Sequence, residues 1–108
     1  MTASIIDPVI VQIATADIEE DLINNSGETS ELSLLIHIAN NGDSAANVQV
    51  WITNSSNTKL FPVLPETSIG AKAGLSNSTK LVLKAGNKIR ITASSTNVYA
   101  MICPVSGL

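Results

Sequence analysis

The chain has 108 residues, of which 44% are hydrophobic, 14% charged and only 3% aromatic, with a formal net charge of -3. This length holds one domain with one core, and the apolar fraction is too high for a disordered chain. A pI near 4.8 works against long-range attraction to a polyanion, which disfavours nucleic acid as a partner.

Taken in order, the chain alternates between apolar and polar residues almost from end to end, which predicts strands and no long helix. The opening "MTASIIDPVIVQIA" lacks a positive leader region, and Asp7 and Pro8 interrupt it, so it is not read as a signal peptide. No run approaches the roughly 20 apolar residues of a membrane-spanning helix. Strands are expected at 8–14, with Val9, Val11 and Ile13 on one face, and at 31–40, with Leu32, Leu34, Ile36 and Ile38 inward. The segment 16–23, "ADIEEDLI", reads equally as one helical turn or as an extended arm. Residues 46–54 put Val48, Val50 and Ile52 inward and Gln49, Trp51 and Thr53 outward. A short strand at 58–63 belongs at an edge, because Pro62 cannot donate to a ladder. The irregular stretch 65–77 reads as a loop crossing between sheets, with Ile69 and Leu75 reaching the core. Strands at 78–85, 87–94 and 97–104 complete the set, the first two reading as a hairpin about "AGN". The expectation is an all-β fold: an antiparallel β-sandwich or a jelly-roll-like small barrel of seven or eight short strands. Residues 1–30 form an acidic strand or arm and 31–108 the sandwich body, within a single domain.

The charges are segregated. Through Asp43 the chain has acids and no Lys or Arg; after it, Glu66 is the sole acid against six cations. The hairpin reading places Lys80, Lys84, Lys88 and Arg90 on one face, with an acidic counterpart in Asp17, Glu19, Glu20 and Asp21. Such opposed patches suit protein contacts, fixing orientation more than affinity. Apolar anchoring is assigned to Trp51, Leu60 and Phe61, since tryptophan and other aromatics are enriched where interfaces bury surface.

Candidates for chemistry are sparse. His37 is the only histidine and lies mid-strand between Ile36 and Ile38, which reads as structural. Cys103 is the only cysteine and reads as a buried small hydrophobe. The run "DIEED" has no glycine at the turn and no alternating ligand pattern of a calcium loop. The stretch "GAKAG" lacks the strand-to-helix setting of a phosphate loop. No enzyme activity, cofactor or metal is expected.

The segments "IHIANNG" (36–42), "LPETSI" (64–69), "LVLKAGNKIRITASS" (81–95) and "VYAMI" (98–102) resemble a group of small structural proteins from tailed bacteriophages, over roughly residues 31–103. Where that group commonly has Gly-Asp at the turn, this chain has Gly86-Asn87, which keeps the turn chemistry and loses a charge. The resemblance implies a virion component made in the host cytoplasm. It would be a capsid decoration or cement protein that binds the major capsid protein and assembles as a homo-oligomer, with a trimer favoured. Alternatives are a neck- or tail-associated adaptor, or a receptor- or carbohydrate-binding β module.

Overall fold

A computed structural model of the chain describes residues 9–27, 31–76 and 81–105. Among the described residues there are nine strands and no helix: β1 (Val9–Gln12), β2 (Glu20–Asn24), β3 (Leu32–Asn40), β4 (Ala46–Asn54), β5 (Lys59–Ile69), β6 (Gly74–Ser76), β7 (Leu81–Leu83), β8 (Asn87–Ala93) and β9 (Val98–Val105). All pairings are antiparallel and fall into two sheets. One sheet runs β1-β9-β3, with β6 and β7 sharing the far side of β3; the other runs β2-β8-β4-β5. Strand β6 pairs with His37–Ala39 and β7 with Leu32–Leu34, so the two line the same side of β3 and are counted together. Counted that way, every connection except β4–β5 crosses from one sheet to the other, and the strand order is that of a jelly roll.

The alternation expected from the sequence fills the space between the sheets. Leu34, Ile36 and Ile38 of β3 face Val48 and Val50 of β4 and Ile89 and Ile91 of β8 within one buried cluster. Val98, Ala100 and Ile102 take the inner positions of β9. The core is wholly aliphatic, and each fully buried branched side chain contributes about 1.5–3 kcal/mol of transfer free energy.

Two buried asparagines hold the crossovers. Asn40, at the end of β3, donates from Nδ2 to the carbonyls of Ser44 (2.8 Å), Ile69 (3.1 Å) and Gly70 (3.3 Å), and its Oδ1 accepts from Gly42 N–H (2.9 Å). It therefore ties the β3–β4 connection to the end of β5. Asn25, after β2, reaches the carbonyls of Leu83 and Lys84 and pins the corner between β7 and β8. That corner turns on Gly86, whose φ of 89° is open to glycine at no steric cost.

Several expectations need correcting. The segment 16–23 is not a helical turn: from Glu20 it is extended as the edge strand β2, which pairs with β8, with Leu22 buried and Ile13 before it buried too. The described part of the N-terminal third is thus built into both sheets. Strand β5 continues through Pro65 to Ile69, because pairing with β4 compensates for poor local propensity. Ile69 does reach the core, whereas Leu75 stays exposed on the edge strand β6. The expected hairpin over 78–94 does not form. Its arms lie in different sheets, β7 against β3 and β8 between β2 and β4, and residues 77–80 lie outside the described set. Cys103 is half-buried on the outer face opposite Leu35, not in the core.

Candidate functional site

The two outer faces differ in chemistry. On the four-stranded sheet the register sets Asp21, Arg90, Trp51 and Pro62 in one row and Asn24, Lys88, Thr53 and Lys59 in the next. Arg90 Nε lies 2.9 Å from Glu19 Oε1, a close ion pair not aligned as a hydrogen bond. Its guanidinium also donates to the Glu19 carbonyl (3.0 Å) and sits 3.4 Å from Asp21 Oδ1. Lys88 Nζ donates to Asn57 Oδ1 (3.1 Å) and lies 3.9 Å from Asp21 Oδ2. These two cations keep only 14% and 12% of their side-chain surface exposed.

The acidic and basic patches thus do meet, but within the chain, because β2 and β8 are neighbours. Glu20 turns back to accept from Ala14 N–H (3.1 Å), and Asp17 sits exposed in a left-handed conformation at the β1–β2 crossover. Lys84 is exposed at the β7–β8 corner, and Lys80 lies outside the described residues. Lys88 and Arg90, two residues apart on β8, are the two of the four expected cations that the described residues bring to one face.

The apolar anchors also separate. Trp51 points outward from the central strand β4, half-buried; Lys59 Nζ is 5.1 Å from its ring centroid, and its Nε1 donates to Gln49 Oε1 (3.3 Å). Phe61 pairs with Ile52, on the opposite side of the sheet from Trp51 and Pro62. Leu60 and Phe61 are 53% and 55% exposed on the edge strand β5.

The outer face of the five-stranded sheet was not foreseen. Its cross-strand rows are Gln12, Tyr99, Ala39 and Gly74; Ile10, Met101, His37 and Ser76; Cys103 and Leu35; and Ser33 and Val82. No Lys, Arg, Asp or Glu occurs in any strand of this sheet, so every described formal charge lies on the other sheet or in the connections. Ile10 is 70% exposed and Val82 51%. A signal was present in the sequence: the strands "VIVQ", "LSLLIHIAN" and "VYAMICPV" are apolar at outward positions as well as inward ones.

His37 lies on this face, exposed, with Nδ1 against Ser76 Oγ. Its ring occupies the space over Gly74, where a methyl group would come within 3.2 Å of Cε1 and Nε2. Beside it is an open depression of about 480 Å³ lined by residues that include Asn41, Lys72 and Gly74. Lys72 Nζ is already bonded to the Asn41 carbonyl (2.7 Å) and 3.7 Å from Asp43. The His37–Ser76 pair has no carboxylate among the described residues of its sheet to orient the ring, the third member that an activated serine uses. No group of three or more His, Cys, Asp or Glu with metal-holding geometry occurs among the described residues. No family model matches the chain, and neither a curated protein nor a solved structure matches it.

Proposed function

We propose that this protein is a structural component of a bacteriophage virion, a decoration or cement protein that binds the assembled major capsid shell as an oligomer. The observation carrying this reading is that the described strands of the five-stranded sheet, on a small jelly roll, hold no Lys, Arg, Asp or Glu. The exposed Ile10, Tyr99 and Val82 on this face favour cover by another polypeptide. The likeness of "IHIANNG" and "LVLKAGNKIRITASS" to phage structural proteins supplies the setting. A shell holding DNA under pressure gains from small rigid clips across its seams, and such clips need complementary surfaces and no catalytic group. Because Lys88 and Arg90 are paired within the chain, attachment to the shell rests on apolar contact through the exposed Leu60 and Phe61.

The test is to mix purified protein with expanded empty heads that lack it and to count bound copies per capsomer after sedimentation. Wild-type protein should saturate a fixed number of sites. Phe61→Asp with Leu60→Asp should reduce occupancy at least tenfold while far-UV circular dichroism stays unchanged. Full occupancy by that variant, or no binding by the wild type, overturns the reading. A neck or tail adaptor would bind connector complexes and not heads. The depression beside His37 favours a second reading, a glycan- or receptor-binding module. Its lysine and Asn40 already have partners within the chain, and a glycan array without signal would remove it.

A further inference from the structure

We infer that the uncharged face of the five-stranded sheet packs against the same face of a second copy of this chain, about a twofold axis parallel to the strands. This rests on the reading that the face is covered by polypeptide and names that polypeptide.

Three observations converge. The first is charge. A self-paired face brings groups close to its axis near their own copies, so a fixed charge there would meet its like; the described strands of this face carry none, and Lys72 at its margin already lies against Asp43. The other sheet carries Asp21, Lys59, Lys88 and Arg90 outward and would repel itself unless every pair were rematched.

The second is shape. A twofold axis along the strands, between β9 and β3, sets β1 of one copy over β6 of the other and β9 over β3. The register then fixes which side chains oppose. Tyr99 falls over Ala39, Gln12 over Gly74, Ile10 over Ser76 and Met101 over His37. In the first three of these, a large residue meets a small one, and the twofold makes each such meeting occur twice. Ile10, the most exposed large hydrophobic residue described, thereby lands on the side of the depression beside His37 and Gly74. The opposite choice, an axis across the strands, would put β1 on β1 and leave Ile10 against another edge of its own kind.

The third is area. Four strand positions at about 4.8 Å and eight or nine residues at about 3.4 Å give a face of roughly 20 by 28 Å. Two such faces bury roughly 1,100–1,200 Å², at the lower bound for specific association.

The experiment uses the full chain with Cys103→Ser, to which Ile10→Cys and Ser76→Cys are added singly and together. Ile10 and Ser76 are three ladder steps apart in one chain, about 14 Å, but face each other across the pair. A short bifunctional maleimide should link the double variant into a covalent dimer on a denaturing gel and leave both single variants monomeric. Light scattering should give twice the chain mass for the wild type. Met101→Lys should halve that mass with unchanged circular dichroism. A wild-type monomer at all concentrations, or a dimer whose double variant does not cross-link, overturns the inference. A monomer that still coats heads sinks this inference alone, while a cross-linked dimer that ignores heads sinks the virion reading alone.

Discussion

Asn40→Ala should lower the unfolding free energy by about 3 kcal/mol, a large part of the 5–15 kcal/mol that holds a domain of this size. The side chain is buried and bonds three carbonyls and one amide, from Ser44, Ile69, Gly70 and Gly42. Removing it strands several of these groups at once, each costing about 1–3 kcal/mol where water does not reach. Water reaches some of them, since two of the bonds are only part-buried, which keeps the total well below the sum. A midpoint fall of about 15 °C in thermal unfolding is expected. Asn41→Ala, next door and exposed, should change stability by less than about 0.5 kcal/mol. Equal effects at the two positions would show that Asn40 is not the tie between crossovers.

Arg90→Met should cost about 2 kcal/mol, and the loss should appear in folding, not in assembly. The methionine keeps much of the stem's packing and removes the charge, leaving Glu19 and Asp21 beside each other without their main partner. A fully buried pair broken in this way costs about 3–5 kcal/mol. The carboxylates here retain 28% and 40% of their side-chain surface, so solvent takes up part of the loss. Urea denaturation measures the cost, and an Asp21→Asn, Arg90→Met cycle isolates the pair. Head occupancy, corrected for folded fraction, should equal that of the wild type. Reduced occupancy by fully folded Arg90→Met protein would return the basic residues to the role of partner contacts.

The inner half of the fold was legible because the inward positions of β3, β4, β8 and β9 are aliphatic at nearly every second residue. What was not legible depends on which strand lies beside which. The strand "EDLIN" carries charges that disfavour β structure, and only pairing with β8 places Asp21 beside Arg90. The stretch "STKLVLKAGNKIRITAS" has the composition of a hairpin, but a jelly roll sends its two arms to different sheets. Local turn chemistry is the same in both cases: Gly86 turns the chain and Asn87 N–H bonds the Lys84 carbonyl (3.2 Å). Charge segregation along the chain was visible, yet it reported contacts made inside the molecule. The candidate face escaped notice because its residues come from five separate strands, which only the sheet order brings together.

The prolines of β5 bear on how large any assembly of this protein grows. Pro62 and Pro65 interrupt the amide donors of an outermost strand, and β2 has a register shift between Asp21 and Ile23. Rims blunted in these ways give an incoming strand little to zip onto, so end-to-end growth into ribbons or fibres is discouraged. Contacts are left to flat surfaces that close on themselves, and closed sets of copies have a fixed size.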